Sequence, residues 1–252
     1  MSNFHLTKLI PRFVFKSLNR RLLNAGFVLI PRMAYDQSHP SLYQGEFWRR
    51  MGNQPRFEHY DYVRFRALEL VASEIYAAKV PGNVAEVGVA DGDFAQIINL
   101  KFPERVLYLF DTFGGFDPAE KKHEIEKGYS TEAFFARTGD FKDVKGPGFV
   151  LKRLPHPESA IIRKGFFPKT AEGLEDRFAF VSVDVDLYLP ILNALKYFYP
   201  RLSERGYIFV HDYNGDELSG VKKAVADYEE MIGAPLKKFP MSDSNGTLVI
   251  TK

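Results

Sequence analysis

The sequence predicts an α/β protein built on a mostly parallel sheet flanked by helices, and three observations carry that expectation. Past Pro81, short β-branched and aromatic runs alternate with stretches of helical periodicity, as in successive βαβ units. The first run ends in Glu86-Val87-Gly88-Val89-Ala90-Asp91-Gly92, a strand, glycine turn and helix start. Three later runs end on or next to an aspartate, at Asp111, Asp184 and Asp212. Parallel α/β sheets place ligands at the carboxyl ends of their strands, so these residues are the first candidates for a site.

A chain of 252 residues is long enough for such a unit to bury its own core. With 45% hydrophobic and 26% charged residues, whole-chain disorder, collagen-like and coiled-coil compositions are excluded. The absence of cysteine excludes disulfides, thiolate nucleophiles, zinc-thiolate sites and iron-sulfur clusters. Any metal must then be held by oxygen or imidazole, and a cytoplasmic location fits best. The 34 Lys and Arg against 32 Asp and Glu leave +2, with no net-charge signature of specific nucleic-acid binding.

Residues 1–80 read as a helical N-terminal extension. Lys8, Arg12, Lys16, Arg20, Arg21 and Arg32 precede the first acidic residue, Asp36, so residues 1–35 carry +6 and the remainder −4. Lys8, Arg12 and Lys16 with Leu9, Phe13 and Leu18 interleaved predict a basic amphipathic helix. Such a helix either covers the core or a second copy of the chain, or meets an anionic substrate or the inner face of a membrane. Leu22–Pro31, the longest uncharged stretch there, falls well short of the ~18 apolar residues of a span, and nothing reads as a signal peptide. Pro40–Arg56 reads as a loop. Tyr62, Phe65, Leu68, Val71, Ile75 and Ala78 then mark one face of a helix between Glu58 and Lys79, stopped by Pro81-Gly82.

Residues 81–252 read as the catalytic domain. Strands are expected at Val84–Val87, Val106–Phe110, Ala160–Arg163, Ala179–Val183, Tyr207–Val210 and Thr247–Thr251. Helices are expected at Phe94–Lys101, Thr131–Arg137, Leu189–Leu202 and Glu217–Met231. Asp117–Ser159 exceeds a simple connection, and reads as a lid over substrate or as a peripheral helical elaboration. His123 and His156 within it read as surface residues.

Gly88 and Gly92 allow a tight turn and a close backbone approach, while the spacing departs from the Gly-x-Gly-x-x-Gly of dinucleotide folds. Glu86, Asp91 and Asp93 would repel a phosphate and suit a cofactor carrying an ammonium and a sulfonium, which describes S-adenosylmethionine. Asp111, about twenty residues on, can accept from both hydroxyls of a ribose. Two residues apart on a strand end, Asp184 and Asp186 can point into one cleft, with Asp212 emerging beside them. Crowded carboxylates call for a divalent cation, unless these residues only cap the helices that follow.

Glu86-x-Gly88-Val89-x-x-Gly92, Asp111-Thr112-Phe113-x-Gly115-Phe116, Gly165-Phe166-Phe167-Pro168-x-Thr170, Asp184-x-Asp186-x-Tyr188, Tyr199-Pro200-Arg201-Leu202 and Asp212-Tyr213 form a set. With it the sequence resembles, from about Pro81 to Lys252, the S-adenosylmethionine-dependent sugar O-methyltransferases of the macrocin and mycinamicin type (TylF/MycF). The resemblance implies a Rossmann-like class I methyltransferase fold with a seven-stranded sheet, a magnesium-type ion and methylation of a sugar hydroxyl. It implies cofactor contacts at Glu86, Gly88, Gly92, Asp111 and Thr112, metal ligation by Asp184 and Asp212, and a general base at Asp186. His211 stands where family members usually carry a second aspartate, and it is either a third ligand, which would favour a softer ion than magnesium, or a packing residue. The expected partner is a small-molecule or glycan acceptor of polysaccharide or natural-product assembly, with a homo-oligomer open. A nicotinamide-dependent oxidoreductase and a non-catalytic module binding membrane or nucleic acid through the basic N-terminus are the alternatives.

Overall fold

The computed structural model describes residues 62–243 and 245–252. The basic N-terminal helix, the loop Pro40–Arg56 and the start of the helix expected from Glu58 lie outside the described residues.

Helix α1 (Tyr62–Ala77) buries Phe65, Leu68, Ala72 and Ile75, close to the face the periodicity marks. Two charged residues are buried with them, Arg64 and Glu69. Glu69 is paired with Arg66 and with Lys101 at 2.6 Å, which ties α1 to the next helix.

The sheet follows in order along the chain: β1 (Asn83–Val87), α2 (Asp93–Lys101), β2 (Leu107–Asp111), an insertion with helices α3 (Pro118–Lys127), α4 (Glu132–Thr138) and α5 (Pro147–Arg153), then β3 (Ala160–Lys164). It continues with β4 (Phe178–Val183), α6 (Tyr188–Arg201), β5 (Leu202–Val210), α7 (Ser219–Ile232), β6 (Lys237–Pro240) and β7 (Leu248–Thr251). Spatial order is β3-β2-β1-β4-β5-β7-β6. The first five strands are parallel, and β7 runs antiparallel between β5 and β6. The chain order reverses between β1 and β4, which places a crevice at their carboxyl ends.

The six strands and four helices expected from residue 81 onward are present, most with ends shifted by one or two residues. Strand β5 begins at Leu202, five residues before Tyr207, because Ser203-Glu204-Arg205-Gly206 reads as a turn but pairs irregularly with β4. Strand β6 was not expected: Lys237-Lys238-Phe239-Pro240 has no alternation, and all four residues are exposed at the sheet edge. Helix α3 was not expected either, although Asp117 accepts from Ala119 N at 2.7 Å, Pro118 opens the helix and Gly128 closes it with φ 69°. Its sequence, Pro-Ala-Glu-Lys-Lys-His-Glu-Ile-Glu-Lys, carries too few apolar residues to show a period. Only the caps announce it.

β4 is buried at every residue, as a central parallel strand with helices on both faces must be. Phe198 of α6 packs below it, edge-to-face on Phe178 with centroids 4.9 Å apart, and stacked on Phe167 at 5.5 Å. Phe167 belongs to the Gly165–Thr170 segment and plugs the end of this aromatic cluster, edge-to-face on Phe110 at 5.4 Å. Phe198→Ala would empty a fully buried ring site, and lowers the unfolding free energy by about 3–5 kcal/mol in urea titration. A loss under about 1 kcal/mol would show that the cluster is not the packing centre of this face.

Candidate active site

The parallel ladder runs one residue past three strand ends. Gly88 N donates to Phe110 O at 2.9 Å, Asp184 N to Val87 O at 2.8 Å and His211 N to Val183 O at 2.9 Å. Gly88, Asp184 and His211 therefore stand along the carboxyl edges of β1, β4 and β5. At Gly88 φ is +86°, and a Cβ would lie 1.8 Å from the Asp184 carbonyl oxygen. At Gly92 φ is +80°, and a Cβ would lie 2.9 Å from Val150 of α5. The tight turn is as expected, and the space each missing Cβ leaves is filled by protein.

β4 ends at Val183, so strand alternation does not place Asp184 and Asp186 on one side, contrary to the expectation from spacing. A four-residue loop brings them together instead, with Asp186 at φ +61° and Leu187 N donating to Val185 O at 2.6 Å. Asp186 shares a hydrogen bond with Asp212, whose own φ is +56°. His211 turns inward: its Nδ1 lies 3.0 Å from Asp184 Oδ1 and 3.0 Å from Asp212 Oδ2. Asp184, His211 and Asp212 each offer one ligand atom, all within 4.8 Å of one another.

Charge explains this cluster. Desolvation and then Asp212 push the Asp186 carboxyl well above the usual carboxylate range. Desolvation would raise Asp184 too, but His211 and Arg64 hold it well below that range. His211 rises to about 10, because Asp184 and Asp212 outweigh the burial and the Arg64 charge that lower it. The two aspartates on either side of the imidazole favour its charged form.

Two residues that sequence reasoning passed over complete the site. Arg64 of α1 donates to Asp184 Oδ2 at 2.8 Å and to Ser182 Oγ at 3.1 Å, with its guanidinium 4.1 Å above the Phe94 ring. Its sequence signal is an arginine beside Phe65, within a helix face that is otherwise apolar. Asn245, in the loop before β7, donates to Asp212 Oδ1 at 2.7 Å. Nothing in the sequence marks it.

The residues expected to meet a cofactor divide. Glu86 is buried, its Oε2 has no hydrogen-bond partner among the described residues, and burial pushes its carboxyl well above the usual range. Asp111 clamps the glycine turn: Oδ2 accepts from Val89 N at 2.6 Å and Ala90 N at 2.9 Å, and Oδ1 from Phe113 N at 2.6 Å. A carboxylate has about four acceptor positions, so one further donor can still be taken. Thr112 faces a different way, donating to Gly115 O at 2.9 Å and accepting from Gly114 N at 3.2 Å, which shapes the following turn. Asp91 and Asp93 are engaged by the insertion. Lys145 N donates to Asp91 Oδ1 at 2.9 Å, Arg153 Nη1 to the Asp91 carbonyl at 2.5 Å, and Arg153 also pairs with Asp93. The insertion pairs both charges. Of its histidines, His123 is half-buried against Tyr188 rather than on the open surface.

The family model for macrocin O-methyltransferase (TylF) matches residues 43–242. The chain belongs to the macrocin O-methyltransferase family. It is an S-adenosylmethionine-dependent O-methyltransferase, and the nicotinamide oxidoreductase reading is not favoured. The match begins upstream of Pro81, where no motif was legible, and takes in Arg64. Among solved structures, the fold is similar to that of the O-methyltransferase NovP, with 18% identity, 75% of this chain and 79% of that one covered, and a TM-score of 0.53. It is also similar to the calicheamicin methyltransferase CalS11, with 17% identity, 81% and 89% covered, and a TM-score of 0.51. No curated protein sequence matches the chain. Among the described residues, no helix of this methyltransferase is long and apolar enough to cross a membrane.

Asp111→Ala removes an anionic acceptor from three backbone N–H groups, and lowers stability by about 2–4 kcal/mol in cofactor-free protein. Chemical unfolding without ligand measures this. An unchanged midpoint would mean that the turn holds its shape without the clamp.

Proposed function

We propose that this methyltransferase transfers the methyl group of S-adenosylmethionine to a hydroxyl of a sugar in a glycoconjugate, polysaccharide precursor or natural product, assisted by a divalent cation. The observation that carries the reading is the meeting of Asp184, His211 and Asp212 with Asp186 at the switch in strand order, beside the glycine turn. The motif resemblance and the family support the sugar hydroxyl as acceptor.

The donor set fits a cation. Two carboxylates and an imidazole within 4.8 Å can converge on one ion, and His211 and Arg64 stand against Asp184. When bound, the cation polarises the acceptor hydroxyl and lowers its pKa. Carboxylate oxygens suit both Mg²⁺ and Mn²⁺, so both are expected to serve. Glu86 Oε2, without a partner among the described residues, suits a cationic donor group of the cofactor, and Asp111 retains an acceptor position for a ribose hydroxyl. Asp186, ionised once positive charge stands beside Asp212, accepts the hydroxyl proton. The hydroxyl oxygen forms the new bond to the methyl carbon, the carbon–sulfur bond breaks, and its electron pair stays on sulfur to leave S-adenosylhomocysteine.

S-adenosylhomocysteine raises the melting temperature, since it binds the folded state. Methyl transfer, followed by mass spectrometry over sugar nucleotides and glycolipids, stops in excess chelator and returns with Mn²⁺ or Mg²⁺. Asp186→Asn keeps cofactor affinity and slows the chemical step by about 10²–10⁴-fold, with partial recovery at high pH, whereas added metal partly restores Asp184→Asn. Full turnover in chelator removes the cation from the mechanism, and near wild-type turnover of Asp186→Asn places the base elsewhere.

A further inference from the structure

We propose that Glu124, on helix α3 of the insertion, is a positioning residue for the reaction: its buried carboxyl seats the first turns of α6 and α7, which begin where the two aspartate-bearing loops end. The inference rests on the reading that these loops carry the chemistry.

Glu124 is fully buried, yet among the described residues no salt bridge holds it. Its Oε1 accepts from the backbone N of Tyr188 at 2.7 Å. Tyr188 is the first residue of α6 and follows Asp186 by two positions. The N-cap residue, Leu187, makes no side-chain cap, so a carboxylate 64 residues away in sequence takes over that task. Oε2 faces α7. A Cβ on Gly220, the second residue of that helix, would lie 2.6 Å from it, and the N-cap there, Leu218, likewise makes no side-chain cap. The same end of the insertion holds α7 again at Tyr129, whose carbonyl accepts from Ser219 N and Ser219 Oγ, both at 3.1 Å.

Tyr188 joins these parts. Its ring stacks on His123 of α3 with centroids 5.5 Å apart, and its hydroxyl donates to Asp227 Oδ2 of α7 at 2.7 Å. Two helix N-termini that converge on one carboxyl group supply partial positive charge to it. Burial pushes Glu124 up to about 7, and in either protonation state Oε1 remains an acceptor for Tyr188 N–H. Four residues separate β4 from α6, and one of them, Asp186, is held in the left-handed region. The loop has no slack, so a shift of the first turn of α6 moves Asp186 against Asp212. Displacements of that kind at a site are expensive even when they are small.

The test uses the full chain as Glu124→Ala, Glu124→Gln and Gly220→Ala, with circular dichroism as the check on folding. Amide exchange locates the effect: peptides spanning 185–190 and 219–223 exchange faster in Glu124→Ala. Calorimetric titration with Mn²⁺ reads its consequence. Glu124→Ala and Gly220→Ala bind Mn²⁺ about tenfold more weakly, the usual scale for groups that orient ligands. Glu124→Gln, whose amide oxygen still accepts from Tyr188 N, stays within about threefold of wild type. Faster exchange with unchanged Mn²⁺ affinity would reduce Glu124 to a helix cap and overturn the proposal, as would a glutamine that fails to restore affinity. A wild type that takes up no Mn²⁺ refutes the cation reading itself and this inference with it. A wild type that binds, with variants that bind equally well, refutes the role of Glu124 alone.

Discussion

Three aspartates at two neighbouring strand ends cannot all be ionised unless positive charge stands among them. That constraint organises the carboxyl edge of this sheet. Asp184, Asp186 and Asp212 meet because parallel pairing of β4 with β5 brings two loops side by side, each turned inward by an aspartate with positive φ. His211 and the Arg64 guanidinium stand against Asp184, and the crowding favours the protonated form of Asp186. Under the proposed function the same arrangement would present Asp184, His211 and Asp212 to a cation and leave Asp186 beside them as the base.

The charge balance draws on parts of the chain far apart in sequence. Arg64 arrives from the helix before the sheet, Asn245 from the loop before the last strand, and the loop around Asp186 is held from the insertion through Glu124 and Tyr188. The insertion also grips the opposite side of the crevice, where Arg153 and Lys145 hold Asp91 and Asp93, and Val150 fills the space beside Gly92. Residues 117–159 thus touch the glycine turn at one end and the aspartate loops at the other. Both halves of the crevice share one brace.

Much of the fold was legible because its signals are local. The runs that became β1, β2 and β4 are mostly apolar, as strands covered on both faces must be, with Glu86 and Ser182 as buried polar exceptions, and the helices between them keep a clean period. What escaped had no such signal: β6 is exposed along its length, and α3 is too polar to show a face although its caps are in the sequence. The candidate site was legible in part for the same reason. Aspartates at strand ends are visible wherever strands are visible. The partners of Asp91 and Asp93 were not legible, because a carboxylate in a loop does not reveal that a lysine and an arginine more than fifty residues away will meet it.

By itself the sequence determined the strand and helix pattern, the glycine turn and the residue types at the strand ends, because each depends on neighbours within a few positions. It also determined that any metal must rest on oxygen and imidazole, since there is no cysteine. Tertiary structure alone decided that His211 faces inward, that Asp111 clamps the turn, and that Arg64, Asn245 and Glu124 serve the aspartate loops. Those outcomes depend on which strand pairs with which and on where the insertion folds back. Each includes a partner more than twenty residues away in the chain, a range at which periodicity and capping carry no information and only packing and charge balance in the folded chain select a partner.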